Sequence, residues 1–169
     1  MPAEQDFNLK EKKMTADISL DTVMDYLMAD HRRLDGIMGT CQDLAAAGNM
    51  KGAGSKFIEF RKGLMRHIKI EEGLLFPEFE SATGLDKSSG PTGVMRHEHA
   101  EIIRLLDLIQ DVFESAQPAS SEFESLRSAV VALLHEHNGK EERILYPMTD
   151  RMVPGPRLRE LVGKMKDFE

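Results

Sequence analysis

Histidine and glutamate recur in this chain at spacings that suit metal ligation. Residues 67–77 read HIKIEEGLLFP and residues 137–147 read HNGKEERILYP. Both follow one pattern: His, three residues, Glu-Glu, two residues, Leu, an aromatic and Pro. Ahead of each copy stands a matched acidic residue and histidine, in Asp30-His31-x-x-Leu34 and Glu98-His99-x-x-Ile102. Corresponding histidines lie 68 and 70 residues apart. A repeat of this period is one supersecondary unit used twice, and neither unit alone can bury its apolar face. Each half offers two imidazoles and one carboxylate placed a helical turn beyond an imidazole. Nitrogen plus carboxylate donors favour iron, manganese or zinc over calcium or magnesium, which take all-oxygen shells.

Helices must carry these residues. The first is expected to start near Ser19, a suitable N-cap, with Leu20, Val23, Met24, Leu27, Leu34, Ile37, Met38 and Cys41 at helical spacing. The stretch AAAGNMKGAGS should end it. A second helix is expected from about Ser55 to about Glu80, with Phe57, Phe60, Leu64, Ile68, Leu74 and Leu75 inward. After the loop TGLDKSSGPTG, a third covers about Thr92 to Ala116, with Met95, Ile102, Ile103, Leu106, Ile109 and Phe113 inward. SAQPAS is the next break. The fourth covers about Ser120 to Arg151, with Phe123, Leu126, Val130, Leu133, Leu134, Ile144 and Leu145 inward, and VPGP stops it. Leu158, Leu161, Val162 and Met165 suffice for a short capping helix. Four amphipathic segments on short turns predict an all-α protein, an antiparallel four-helix bundle with an internal two-fold repeat and a short C-terminal helix. The division is a flexible arm over 1–17, the bundle over 18–152 and a capping segment over 153–169. Pro77 and Pro147 remove a backbone donor late in the second and fourth helices, so each helix should bend or end there.

On these helices the repeated residues share the apolar stripes. His31 lies four residues after Leu27 and three before Leu34, and His99 four after Met95 and three before Ile102. His67 follows Leu64 by three and precedes Glu71 by four; His137 follows Leu133 and Leu134 and precedes Glu141 by four. A carboxylate on a core face is costly unless paired or bound to a metal. Two of them with four imidazoles suit a pair of transition-metal ions, two imidazoles to each ion and the carboxylates between. The bland reading of a lone inward histidine is a hydrogen-bonded core residue. Four at matched positions, two of them partnered by glutamate, outweigh that reading. His97 and His135 sit two residues, about 200°, from His99 and His137 and should face outward. A rival pairing of His97 with Glu101 also gives HxxxE, but it leaves His99 without a role; His97 could instead be a fifth ligand if the third helix starts irregularly near Gly93. Glu72 and Glu142, about 100° from their neighbours Glu71 and Glu141, read as solvated or as supports behind the imidazoles rather than as direct ligands; Asp30 and Glu98 read as solvated faces first and as acceptors for imidazole N–H groups second. The place of Tyr26 and Tyr146 is open, and Cys41 reads as inert packing.

The motifs DHRRLD (30–35), HIKIEEGLLFP, VMRHEHAEI (94–102) and HNGKEERILYP together resemble the hemerythrin-like, or HHE cation-binding, proteins over roughly residues 19–150. The resemblance implies a four-helix bundle with a non-haem di-iron centre that can meet dioxygen or a related small molecule. It implies His31, His67, His99 and His137 as ligands and Glu71 and Glu141 as bridging carboxylates, with zinc or manganese as substitutes for the two irons. Oxygen carriers of the family have a fifth histidine one turn before the third-helix histidine, where this chain has Met95. It therefore looks like the four-His, two-carboxylate branch, which is linked to iron-centre repair, nitric-oxide or oxygen response and iron sensing. The cysteine-bearing N-terminal extension of many repair proteins of that branch is not in this sequence.

The 169 residues carry a net charge of −7 without a Lys/Arg cluster, against a nucleic-acid surface. No run of about 18 apolar residues would span a membrane. The start is too charged for a signal peptide, and one cysteine allows no internal disulfide; the expected location is the cytoplasm. The first functional reading is a di-iron protein that binds or senses oxygen, nitric oxide or peroxide, or handles iron, rather than an enzyme. The alternatives are a di-iron oxidase or peroxide-consuming enzyme, and a metal store or interaction module with structural metal. Ferritin-like oxidases use Glu-x-x-His and more carboxylates, unlike the motif here.

Overall fold

A computed structural model describes residues 21–115 and 120–169. The arm over 1–17, the cap at Ser19, inward Leu20 and the break over 116–119 lie outside the described residues.

The backbone is helical, with no strand among the described residues. Helix α1 (Val23–Ala46) begins later than Ser19 would place it, because Thr22 caps it: its Oγ1 accepts from the Asp25 N–H at 3.0 Å. The carboxylate of Asp150, far along the chain, accepts from the Val23 and Met24 N–H groups at 2.9 and 3.2 Å. Helix α2 (Met50–Ile70) starts earlier than Ser55. Asn49 caps it by accepting from Gly52 N–H at 2.9 Å, so the glycine-rich stretch is helix and only Ala47–Asn49 turn. Gly54 has a reason to be glycine: a Cβ there would stand 3.1 Å from the Phe113 ring.

The second and fourth expected helices both run through a wide turn. Glu71–Leu75 and Glu141–Leu145 form single π turns, closed by Phe76 N–H to the Glu71 carbonyl and Tyr146 N–H to the Glu141 carbonyl. The α form then resumes as α3 (Phe76–Thr83) and, in the second half, as α6 (Tyr146–Met152). Between them come α4 (Gly90–Glu114) and α5 (Ser120–Lys140), and α7 (Gly155–Lys166) closes the chain. The prolines do not end their helices. Pro77 and Pro147 are second in the resumed segments, where a missing N–H is tolerated, and the irregularity falls in the turn before them. The wider turn also changes which residues face inward. Leu75, Phe76, Leu145 and Tyr146 are buried, Leu74 is only partly so, and Ile144, expected inward, is 49% exposed.

The bundle packs α1 on α2, α4 on α5, α2 on α4 and α1 on α5. Its apolar interior falls into two clusters. One holds Leu34, Met38, Cys41, Phe57, Phe60, Leu64, Ile68, Ile102, Leu106, Ile109, Phe123 and Val130 among others. The other holds Val23, Leu27, Ile70, Leu75, Phe76, Phe79, Met95, Leu145, Tyr146 and, from α7, Leu161, Val162 and Met165. Helix α7 is tied down by Tyr26, whose hydroxyl donates to the Met165 carbonyl at 2.8 Å, and by Arg66, which donates to the Phe168 carbonyl at 2.8 Å. The repeated histidines and glutamates lie between the clusters: His31 sits between Leu34 and Leu27, and His99 between Ile102 and Met95, each pair drawn from the two sides.

Candidate metal centre

Four helices and two π turns deliver the six repeated residues to one place. His31 comes from α1, His67 from α2, His99 from α4 and His137 from α5; Glu71 and Glu141 open the two π turns. All six are between 0 and 4% exposed. His31 Nε2 and His67 Nε2 stand 3.1 Å apart, as do His99 Nε2 and His137 Nε2. Two nitrogens on one ion, each about 2.0–2.1 Å from it, would be roughly 3.0–3.4 Å apart. The carboxylates divide their oxygens between the two pairs. Glu71 turns Oε1 to His67 Nε2 at 3.5 Å and Oε2 to His99 Nε2 at 3.2 Å. Glu141 turns Oε2 to His31 Nε2 at 3.5 Å and Oε1 to His137 Nε2 at 3.1 Å. Glu71, Glu141, His99 and His137 form one cluster of converging donor atoms, and His31, His67 and Glu141 a second.

Behind each imidazole stands a carboxylate. His31 Nδ1 meets Glu142 at 2.8 Å, His67 Nδ1 meets Asp30 at 3.0 Å, His99 Nδ1 meets Glu72 at 2.8 Å and His137 Nδ1 meets Glu98 at 2.9 Å. Of the two readings open for these four acids the acceptor role is the one seen, each facing an imidazole on a different helix, while Glu72 and Glu142 also remain partly in solvent. A proton held on every Nδ1 leaves every Nε2 lone pair aimed at the shared centre. The repeat contains the whole arrangement twice, since the acid beside His31 or His99 supports the next histidine in the same half, and the second Glu of each Glu-Glu pair supports a histidine of the other half. Glu72→Gln, which keeps the shape and loses the charge, is expected to lower metal affinity about 10- to 100-fold. Competition against a chromophoric chelator reads this directly, and an unchanged constant would make Glu72 a bystander.

The residues fit a pair of cations. Glu71 Oε2 and Glu141 Oε1 are buried with no neighbour to accept from except the imidazole Nε2 atoms of His99 and His137, and lone pairs of nitrogen and oxygen point into the same space. Burial opposes protonation of His67, yet the charges of Glu71 and Asp30 with their hydrogen bonds lift its pKa to about 10. The same contest, won by Glu71 and Glu72, lifts His99 to about 9, and His137 rises beside Glu141. Burial would raise the Glu71 carboxyl, but His67 and His99 hold it well below its ordinary value. Protons on the imidazoles thus play the part a cation would.

Tyr146 joins the site, which the sequence left open. Its hydroxyl reaches Glu71 Oε1 at 2.6 Å, Glu141 Oε2 at 3.0 Å and His31 Nε2 at 3.3 Å. The sequence signal was its place in the repeat, opposite Phe76, but only the π turn brings that place inward. Tyr26 lies instead against α7. His97 and His135 are exposed, and α4 is regular through Gly93, so His97 is no part of the cluster. Met95 is buried at 2%.

Comparison with known proteins bears on the same residues. A model of the hemerythrin HHE cation binding domain matches residues 22–149. Among curated proteins, the chain is 30% identical over 106 residues to the iron-sulfur cluster repair protein YtfE of Edwardsiella ictaluri, covering 59% of this chain and 48% of that one. It is 30% identical over 90 residues to YtfE of Dickeya chrysanthemi, covering 50% and 40%, and 26% identical over 128 residues to YtfE of Yersinia pestis, covering 72% and 54%. The chain spans about half the length of these curated relatives. No solved structure gives a significant match.

Proposed function

Because the chain belongs to the hemerythrin HHE cation-binding family, we propose that His31, His67, Glu71, His99, His137 and Glu141 hold two iron ions, with both carboxylates bridging. The protein, on this reading, binds or senses a small molecule such as dioxygen, nitric oxide or peroxide, or handles iron for repair of iron centres. One observation carries it: two buried carboxylates each turn one oxygen to each of two imidazole pairs, and one oxygen of each meets nothing but imidazole nitrogen. Iron held this way supplies a redox-active Lewis acid on which a small molecule can bind. The protein's own part is to aim four Nε2 lone pairs, hold the carboxylates between them and keep bulk water out with an apolar cluster on either side. Side chains 0 to 4% exposed suit a ligand of a few atoms. Met95, which brings no nitrogen to the place of the carriers' fifth histidine, favours sensing or reaction over oxygen carriage. The name of the YtfE relatives favours a role in repair of iron-sulfur clusters. Cytoplasmic residence is part of the proposal, supported by a single buried thiol, Cys41, whose pKa burial raises to about 11.

Metal analysis of protein made in iron-rich medium, with optical spectra before and after reduction and air exposure, tests the proposal. About two irons per chain and an oxo-to-iron absorption that bleaches on reduction are expected. Zinc alone, without colour, would leave a structural or storage site.

Acid should strip the site. His67 and His99 have folded pKa values of about 10 and about 9, above the ordinary 6.5. Without metal they are therefore protonated at pH 7, and loading must expel those protons. Apparent affinity is expected to climb as pH rises toward 9–10. The metal-free protein should do the reverse. Its imidazole–carboxylate contacts contribute fully below pH 6.5 and are lost as pH rises through about 9 to about 10. Calorimetric zinc titrations in buffers of different ionisation enthalpy read the proton release. Loading at pH 7 with no proton expelled would contradict the assigned charges.

A further inference from the structure

Around the converging donor atoms the two halves of the centre differ at one side chain, and that difference ranks the two metal positions. The first position is His31 and His67 with Glu71 Oε1 and Glu141 Oε2; the second is His99 and His137 with Glu71 Oε2 and Glu141 Oε1. At the first, the Tyr146 hydroxyl lies within 2.6–3.3 Å of three of the four donor atoms. At the second, the repeat puts Phe76 in the matching place. Its ring lies parallel to His99, at 9° and 5.8 Å between centroids, and it carries no hydroxyl. The carboxylate oxygens of the second position, Glu71 Oε2 and Glu141 Oε1, meet only the imidazole Nε2 atoms of His99 and His137, at 3.2 and 3.1 Å, and no hydroxyl. That position also gathers four donor residues within ligating reach of one another, against three at the first.

Resting on the reading of these six residues as ligands of two ions, we propose that the ions load in order, the His99/His137 position before the His31/His67 position, and that Tyr146 sets the order. The hydroxyl has one proton to donate, and its acceptors are lone pairs an ion at the first position needs. An ion arriving there must displace that hydrogen bond. An ion at the second position meets no such hydroxyl, since the matching ring is that of Phe76. The two sites are thus equal in ligand type and unequal in affinity, by roughly ten- to a hundredfold, the worth of a hydrogen bond to a charged group.

Zinc is a redox-silent probe for the test. Metal-free full-length protein with one equivalent of zinc, viewed by native mass spectrometry, is expected to be mostly the one-zinc species. Tyr146→Phe should lower that species toward the half expected of two equal sites, with tighter second-step binding. The variant copies what the repeat already tolerates at Phe76. A second arm assigns the positions. His31→Ala should keep one zinc at the wild-type first-step affinity, whereas His99→Ala should keep one only at the weaker, second-step affinity. Wild-type protein with statistical populations, or with mainly zero- and two-zinc species, overturns the ordering while leaving the six-ligand reading intact. Equal retention by the two histidine variants does the same. Wild-type protein that binds no zinc overturns both.

Discussion

Glu71→Ala is expected to weaken both metal positions at once, by more than about a hundredfold each, beyond the 10- to 100-fold of an outer hydrogen-bond partner. A ligand to one ion would cost one ion. Glu71 faces both imidazole pairs, with Oε1 toward His67 and Oε2 toward His99. Its loss also removes from His67 one of the two carboxylates beside it, leaving Asp30 at 3.0 Å as the remaining counter-charge. Metal content after gel filtration, with chelator competition for the affinities, measures the effect. His135→Ala, at an exposed residue outside the cluster, should keep the wild-type content. One ion retained at wild-type affinity in Glu71→Ala would show that this carboxylate does not bridge.

Stripping the metal is expected to lower the melting temperature steeply. The donors come from four helices, so ions bind the folded chain and have no comparable site in the unfolded one. At free metal a thousandfold above Kd, one position stabilises by about 4 kcal/mol. For a domain of this size each kcal/mol moves the midpoint by about 2–4 °C, so one position alone accounts for roughly 8–16 °C. Scanning calorimetry of loaded protein against protein dialysed with chelator measures it. Equal midpoints would mean that the cross-section of histidines and glutamates holds itself together without ions, through the imidazole–carboxylate contacts alone.

The candidate ligand set was legible because it is written twice. One copy of His-x-x-x-Glu is a weak signal, but the repeat fixed the register, and helical spacing alone put His31, His67, His99 and His137 on inward faces. The helical class followed from the same periodicity. What escaped came from two physical sources. Asp30, Glu72, Glu98 and Glu142 point about one residue's rotation away from the inward stripe, where a lone helix would show them to water. They reach imidazoles only across the gap to a neighbouring helix, and that geometry exists only once the bundle is packed. The second source is the π turn. A 3.6-residue period carried past Glu141 places Ile144 inside, and the wider turn puts it at 49% exposure and brings Tyr146 in. The prolines marked the irregularity in the sequence without revealing that it widens the helix instead of ending it. Asn49 was likewise hidden within a glycine-rich stretch that looked like a loop and is capped helix.

The two apolar clusters lie on either side of the belt of histidines and glutamates. Such a belt is a joint as well as a binding site. Loaded, it would be a stiff weld that makes the bundle one lever from the α1–α2 turn to α7; protonated, it would be a seam of hydrogen bonds with more play. The state of the centre would then be legible from outside as rigidity, at surfaces that touch no ion, without any separate moving part.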